Sequence, residues 1–447
     1  MTKSRVWIVV FASMVLIPGN AMCAQLLFTP RISVTQEYND NIDLDRRNKQ
    51  DDFITTVSPG FTAELLGQTA GLSLSYDPAY LFYADNSDND YWRHVLNARL
   101  WNDFSRSTRL EIQNNFLYSQ DPLDDDDVED QQGNIVVRGN DRRRAPDTYW
   151  RNRASARLNH RFGVEDRTYA QLVYGINEFD NPDDEDSQEI EPSAGLVYWF
   201  TQWTGMSVDG VFTRGLYDEN EDSSDFSNYD GRVRLNQRIS RQFGLFGQYR
   251  HIYRDWDEEG IVNTDGDVDN NYSVYAPSAG VFYDFDRDLT ASLGLGWFYQ
   301  QIENEEDQDG PFVSADINKL WEAPGWSLRA RGSSGLDSED FSDRNGGFRR
   351  FAQAELIGRY DLTRQLFCDA GLRYRYSDFI QAADDEKDHR YTANIGLGYR
   401  LFRWMSVRLG YEFDKLDNIN GDDDYERNRV FATVTLESDV PWRLGDW

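Results

Sequence analysis

Arginine side chains recur at every second position in several segments of this sequence. In the stretch 149–161 they alternate with Ala154, Ala156 and Leu158. An arginine carries a permanent positive charge and a planar set of donors, so such a row could guide anions or pair with carboxylates on neighbouring segments. The arginines that follow this rule are Arg151, Arg153, Arg157, Arg161, Arg232, Arg234, Arg238, Arg250, Arg329, Arg331, Arg373 and Arg375.

These arginines lie in segments where apolar and polar residues alternate, which predicts β-strands with one apolar face. In the stretch 289–299, for example, Leu, Ala, Trp and Tyr alternate with Thr, Ser and Gly. The polar face carries Gly, Ser, Asn and Arg, which is typical of strands whose apolar face meets lipid and whose polar face lines a hydrated interior. An arginine facing lipid near the midplane costs about 2–4 kcal/mol, so we expect the arginines inside a barrel.

Two kinds of connection alternate along the chain. Short ones, such as 239–242, 362–365 and 402–404, alternate with long acidic ones. This alternation predicts short periplasmic turns at one end of a barrel and long extracellular loops at the other. A propeller repeats at a similar spacing of roughly 40 residues but does not require the alternation. The long acidic stretches are 121–130, 180–186, 218–225, 255–269, 303–309, 384–388 and 417–426.

The strand count follows from these segments. Counting from Arg31 to a last strand over 427–437 gives about 20 strands, with 18 as the alternative because the strands near Arg31, Phe312 and Trp326 are short. We therefore predict an all-β fold, a single transmembrane antiparallel up-and-down β-barrel over residues 25–447, with no separate plug domain.

Residues 1–24 have the pattern of a signal peptide. Lys3 and Arg5 precede the apolar run 6–17, and small residues follow at Ala21 and Ala24. The run is shorter than the roughly 20 residues of a membrane-spanning helix. We expect cleavage near Ala24 and a location in the outer membrane of a Gram-negative bacterium.

The amino-acid composition excludes several classes of protein. With 46 Lys and Arg against 78 Asp and Glu, the formal net charge of −32 argues against nucleic acid as a partner. A hydrophobic content of 39% and a mean hydropathy of −0.71 exclude a helical membrane protein. The expected surroundings are outer-membrane lipid and lipopolysaccharide. After cleavage Cys368 is the remaining cysteine, so no intramolecular disulfide is expected.

Residue patterns of catalysis and metal binding are weak. The four histidines, His94, His160, His251 and His389, lie in different segments, and no G-x-S-x-G, paired-Cys or H-x-x-x-H spacing occurs. We therefore predict no enzyme activity, no metal and no cofactor, although a hydrolytic site assembled across strands stays open. The acidic loops are interpreted as solvated, with divalent-cation binding as the alternative.

The stretch from Arg31 to about Tyr118 resembles the outer-membrane β-barrel porins that often accompany exopolysaccharide export systems. The resemblance covers about a fifth of the chain. It implies an outer-membrane location and suggests polysaccharide transport with periplasmic partners, while its motifs are interpreted as structural. The residues that carry it are 38–42 (YNDNI), 57–60 (VSPG), 74–80 (LSYDPAY), Tyr83 and His94.

Three functions remain on sequence grounds. The first is a conduit for an anionic or neutral polysaccharide, the second a general diffusion porin for small solutes, and the third an outer-membrane hydrolase. The arginines either guide anionic solutes or pair with inward carboxylates such as Glu64, Glu111, Glu355, Asp369 and Glu412. The loop 120–147 either narrows the lumen or forms a surface hairpin.

Overall fold

The computed structural model describes residues 25–120, 128–129, 135–136, 148–181, 186–217, 225–257, 270–286, 289–338, 348–380, 387–419 and 424–446. The predicted signal peptide, residues 1–24, lies outside the described residues, and so does most of the loop 120–147. Within the described ranges, no helix is long and apolar enough to cross a membrane.

Twenty antiparallel strands of the described chain form one closed barrel, which confirms the prediction of about 20 strands and shows that the alternative of 18 is wrong. Neighbours in the sequence are neighbours in the sheet, as an up-and-down barrel requires. The barrel strands are β1 (Gln25–Asn39), β2 (Asp52–Leu66), β3 (Ala70–Tyr83), β4 (Tyr91–Ser105), β5 (Thr108–Ser119), β8 (Tyr149–Arg161), β9 (Arg167–Phe179), β10 (Ser187–Trp199), β11 (Thr204–Tyr217), β12 (Phe226–Arg238), β13 (Phe243–Trp256), β14 (Tyr272–Asp286), β15 (Leu289–Ile302), β16 (Gln308–Ala323), β17 (Trp326–Ser338), β18 (Phe348–Asp361), β19 (Leu366–Phe379), β20 (Lys387–Phe402), β21 (Met405–Ile419) and β22 (Tyr425–Glu437).

Three short strands complete the description. β6 (Val128–Glu129) and β7 (Ile135–Val136) pair with each other in a separate two-stranded sheet. β23 (Trp442–Asp446) follows β22 after a bend and pairs with the first residues of β1.

The barrel closes between its first and last long strands. β1 pairs with β22 from Arg31 opposite Glu437 to Asn39 opposite Arg429, and β23 extends the same contact towards Gln25. Closure satisfies the backbone groups that an open sheet would leave at its edge, which is the condition for crossing lipid with strands.

Connections alternate in length as predicted. Two-residue turns at 106–107, 324–325 and 403–404 lie at one end, whereas longer connections such as 40–51 and 84–90 lie at the other. The ends with short turns and long loops are called the periplasmic and extracellular ends below. Of the predicted acidic stretches, 303–309 is described throughout and spans the β15–β16 connection, while the others lie wholly or partly outside the described residues.

The outward face is apolar with aromatic residues towards its ends. On β15, Leu293, Leu295 and Trp297 are each half-exposed or more, because no other described part of the chain packs over this face. Stacked or edge-on ring pairs such as Tyr80 with Trp92 towards the extracellular end, and Phe402 with Trp404 at the periplasmic end, form the girdles expected at the two membrane interfaces.

Candidate pore and its arginine-lined wall

Arg250 establishes which face of the strands lines the lumen. Its Nη1 donates to the backbone oxygen of Leu336 at 2.5 Å. Arg250 lies on β13 and Leu336 on β17, and three strands separate them, so the distance along the wall is roughly 19 Å at the usual strand spacing. A side chain bridges that separation only through the interior, so Arg250 points inward.

The pairing register extends this assignment around the barrel, because residues directly opposite each other share a face. Arg232 lies opposite Arg250, and Arg331 and Arg373 both lie opposite Glu355. Following the ladders from strand to strand places all twelve predicted arginines on the inward face. The structure thus places them where the alternation predicted, distributed over five strands rather than gathered in one site.

Half of the twelve arginines are ion-paired with inward carboxylates. Five of these contacts join neighbouring or next-neighbouring strands, as the wall-pairing interpretation expects, and the sixth, Arg238–Glu165, joins β12 to the turn between β8 and β9. The pairs are Arg153–Glu189 at 2.8 Å, Arg232–Asp209 at 3.3 Å, Arg238–Glu165 at 2.6 Å, Arg250–Asp230 at 2.6 Å, Arg373–Glu355 at 2.9 Å and Arg331–Glu355 at 3.8 Å.

Four of the twelve have no carboxylate oxygen within 4.0 Å among the described residues: Arg151, Arg157, Arg161 and Arg234. Their contacts are neutral. Arg157 donates to the side-chain oxygens of Asn159 and Gln171, and Arg234 donates to Asn236 and lies over the Phe246 ring at 3.7 Å. Among the described residues, these four guanidinium groups have no direct ion pair. The wall-pairing interpretation therefore describes the six ion-paired arginines, while the guidance of anionic solutes by the others stays a prediction.

Several of the carboxylates that form ion pairs with the inward arginines were not predicted from the sequence. Glu111, Glu355, Asp369 and Glu412 were predicted as lumen carboxylates and are ion-paired with arginines. The analysis missed Glu189, Asp209 and Asp230. Their places in alternating segments could have put them on the inward face, but which arginine each one meets depends on the register between strands.

A cavity of about 570 Å³ lies at the periplasmic end of the lumen and is called the periplasmic pocket here. Arg238 borders it, lying over the Trp199 ring at 3.8 Å and forming a bidentate ion pair with Glu165. The hydrogen bond from Arg238 holds the pKa of Glu165, in the turn after β8, below its usual value. The charged residues that line the pocket are Arg161, Arg167, Arg232, Arg234, Arg238, Glu165, Asp166 and Asp284.

The extracellular half of the lumen is narrowed by apolar residues along β13 to β18. The ladder between β16 and β17 ends at Ala315 opposite Ser334, and beyond that point β17 and β18 lean into the barrel. Leu336 and Phe348 then pack, fully buried or nearly so, with inward residues such as Phe298 of β15. The Arg250 contact to the Leu336 oxygen holds the inward end of β17 in place.

A second inward segment follows β1. Ile42 of the β1–β2 connection is buried against Ile54, Ala79 and Leu81. Asn41, which is fully buried, donates to the backbone oxygens of Asp45 and Glu426 and thereby ties this connection to β22. The predicted narrowing by the loop 120–147 falls almost entirely outside the described residues.

The motifs that carried the family resemblance are structural, as the sequence analysis expected. In the YNDNI motif, Asn41 and Ile42 make the contacts just described. Asp77 of the second motif forms an ion pair with Arg31, in which Arg31 Nε donates to Asp77 Oδ1 at 2.7 Å. Gly60 lies directly between these two residues in the sheet, and any Cβ there would overlap the Asp77 carboxylate.

The histidines lie apart on the outward face. His94 and His389 each share a hydrogen bond with a tyrosine hydroxyl, at 2.8 Å and 2.9 Å, within the outer aromatic layer. His160 contacts Thr108, and His251 contacts the Val274 oxygen. No group of three or more potential metal ligands occurs among the described residues. The structure does not bring these four histidines together.

A closed antiparallel barrel with an apolar exterior, two aromatic girdles and a charged interior defines a transmembrane pore of the outer-membrane class. A sequence model of the family described as "Putative beta-barrel porin 2" matches residues 24–138 and 209–438, more than half of the chain. The chain belongs to this family. It is an outer-membrane β-barrel of a Gram-negative bacterium, with the pore architecture of a porin.

Solved structures of outer-membrane proteins are similar at low identity. OpdK of Pseudomonas aeruginosa, crystallised with vanillate, is 12% identical over 92% of this chain and 99% of that chain, with a TM-score of 0.39. A BenF-like porin of Pseudomonas fluorescens Pf-5 is 9% identical over 93% and 99%, with a TM-score of 0.39. The ferric enterobactin receptor PfeA of Pseudomonas aeruginosa is 10% identical over 92% and 80%, with a TM-score of 0.48. No protein with a curated description matches the sequence.

Proposed function

We propose that this barrel is a conduit through which an anionic or neutral polysaccharide, delivered by periplasmic export proteins, crosses the outer membrane. The observation that carries the proposal is the arginine row of β8. Arg151, Arg153, Arg157 and Arg161 share one inward face along the strand. They span about 34 Å of strand, or about 26 Å along the barrel axis at a tilt near 40°.

A row of that length suits a polymer better than a single small solute. A small solute needs one binding position, whereas a chain in transit contacts the wall over its whole depth. Arg151, Arg157 and Arg161 lack direct carboxylate partners in the described chain, so their attraction for an anion is dispersed among several weak positions. Conduction requires binding that is favourable enough for entry and weak enough for release.

The second candidate is a diffusion porin for small anionic solutes. The apolar narrowing of the extracellular half by Leu336, Phe348 and Ile42 favours it, because a narrow passage restricts a bulky chain. The inward arginines would attract either an anionic polymer or a small anion. The two candidate functions therefore differ in the solute that passes through the pore, not in the way the arginine charge attracts it.

Deletion of the gene in the source bacterium tests the proposal. We expect surface and secreted polysaccharide to fall at least tenfold, with recovery when the wild-type gene is returned on a plasmid. A variant with Arg151, Arg157 and Arg161 all changed to glutamine should restore less than the wild type. The variant R359Q/R408Q/R429Q is the matched control, since it also removes three inward charges, from β18, β21 and β22. Unchanged polysaccharide output with slower uptake of small anions would instead support the porin.

A further inference from the structure

We infer that the periplasmic pocket is a recognition site for acidic sugar residues, in which Arg161 and Arg234 bind sugar carboxylates and the pocket's own carboxylates accept sugar hydroxyl groups. This inference rests on the proposed function and specifies its substrate class. The pocket lies at the end of the barrel where a chain coming from the periplasm would enter.

The charges of the pocket are incompletely neutralised by the described chain. Arg161 of β8 lies directly opposite Arg167 of β9, and like charges in that position repel each other across the ladder. Arg161 has no carboxylate within ion-pair distance among the described residues, and neither has Arg234. An anion bound between these groups would relieve the repulsion and satisfy donors that now face the lumen.

Two further arginines of the pocket, Arg238 and Arg232, already have ion-pair partners and so help to hold the pocket in shape. Arg238 is held by Glu165 and stacked on Trp199, and Arg232 is paired with Asp209 at 3.3 Å. Arg161, Arg167 and Arg234 are therefore the guanidinium groups of the pocket that have no ion pair among the described residues. Of these, Arg161 and Arg234 lie four strands apart, and we assign the two sugar carboxylates to them.

The size and mixed character of the pocket favour a sugar chain over a small inorganic anion. Arg161 and Arg234 lie four strands apart along one row of directly opposed residues, and a cavity of about 570 Å³ joins them. One small anion cannot contact both. Asp284 and Asp166 also line the cavity, where their carboxylates can accept hydrogen bonds from several sugar hydroxyl groups, which a small inorganic anion does not offer.

Block of ion current through the purified protein in planar bilayers tests the inference. Hexagalacturonate and maltohexaose, equal in length but charged and neutral, are added to each side in turn. We expect hexagalacturonate to block from the periplasmic side at a concentration at least tenfold lower than maltohexaose. In the variant R161Q/R234Q, its half-blocking concentration should rise about tenfold, while that of maltohexaose stays within twofold.

R408Q/R429Q is the matched control, because both arginines point inward on the far wall and it removes the same charge. It should change hexagalacturonate block by less than twofold. Three results would overturn the inference: equal half-blocking concentrations for the two sugars in the wild type, an unchanged half-blocking concentration of hexagalacturonate in R161Q/R234Q, or an equal rise in the control variant. Inorganic phosphate blocking as strongly as hexagalacturonate would overturn it too, by assigning the pocket to small anions.

The single change Arg161→Gln covers the case in which the double variant does not fold. Arg161 is exposed, so its replacement removes charge without leaving a buried group unsatisfied. We expect the half-blocking concentration of hexagalacturonate to rise about threefold in this variant. An unchanged half-blocking concentration would again overturn the inference. Failure of the deletion experiment with a positive block result would refute export alone, whereas normal export dependence with no selective block would refute the pocket alone.

Discussion

At the scale of single residues, Arg153 and Arg157 show how two inward arginines on one strand take different roles. Arg153 Nη1 lies 2.8 Å from Glu189, whose side chain is 2% exposed. Arg157 contacts Asn159, Gln171 and the face of Tyr169, all of which are neutral. The loss of Arg153 leaves a buried carboxylate without its charged partner, whereas the loss of Arg157 leaves only neutral groups.

We therefore predict that Arg153→Gln destabilises the barrel by about 3 kcal/mol, because removal of one partner of a buried ion pair exposes the other to an uncompensated desolvation cost. Arg157→Gln should leave stability nearly unchanged. The temperature at which half of the protein migrates as the unfolded form in dodecyl sulfate measures both. Equal midpoints for the two variants would contradict the distinction, and the double change R153Q/E189Q should recover part of the loss.

At Gly60 the surrounding residues leave no space for a side chain. A Cβ at this position would displace the Asp77 carboxylate from Arg31, and the backbone oxygen of Tyr76 would lie only 3.1 Å away. Gly60→Ala should therefore cost about 1–3 kcal/mol, as overpacking commonly does.

The matched control is Gly231→Ala on β12, where nothing lies within 4 Å of the added carbon. It should be neutral or slightly stabilising, since glycine weakens a strand interior. The same dodecyl sulfate midpoints provide the measurement. A Gly60→Ala variant as stable as Gly231→Ala would show that the Arg31–Asp77 pair tolerates displacement.

Alternation in the sequence was sufficient to place every predicted arginine on the inward face, because side-chain direction in a strand has a period of two residues. Alternation did not predict which carboxylate each arginine would contact. Glu189 meets Arg153 although the two lie on strands that are not adjacent, β8 and β10, separated by Gly175 of β9. That contact depends on the register of two ladders and on a glycine that leaves room, neither of which a one-dimensional pattern contains.

At the scale of elements, β17 departs from the regular wall. Its periplasmic half pairs with β16, but its extracellular end leaves β16 and packs inside the barrel through Leu336. The prediction of short strands near Phe312 and Trp326 was wrong, because β16 and β17 have 16 and 13 residues. The separation of the two strands accounts for the error, since residues that leave the wall no longer follow the alternation of lumen and lipid.

Arg250 holds this inward end, so we predict that Arg250→Gln raises the single-channel conductance of the pore. The variant loses the hydrogen bond to the Leu336 oxygen, which links β13 to β17, and the ion pair with Asp230 of β12, which holds the Arg250 side chain in place. His251→Gln, the next residue on the same strand but on the outward face, should leave conductance unchanged. Conductance of Arg250→Gln equal to that of the wild type, in protein that still shows the folded mobility, would contradict a narrowing role for β17.

At the scale of the whole molecule, the pairing of β1 with β22 closes the ring, so the barrel has no free first or last strand. The even strand count and the alternation of turns and loops predicted this closure. The two inward segments around Ile42 and Leu336 were not predictable, because their burial depends on contacts with residues of several different strands, which a periodic pattern does not contain. The general class was therefore predictable, whereas the shape of the passage was not.

We expect the inward arginines that have no ion pair among the described residues, such as Arg157 and Arg234, to set the ion preference of the pore. The reversal potential of the reconstituted protein across a potassium chloride gradient tests it most directly. We predict discrete conductance steps in the wild type and a shift of the reversal potential towards cations in Arg157→Glu/Arg234→Glu, because fixed charge in a narrow lumen determines the local ion concentration. Folded protein without conductance, or an identical reversal potential in the folded double variant, would contradict the account.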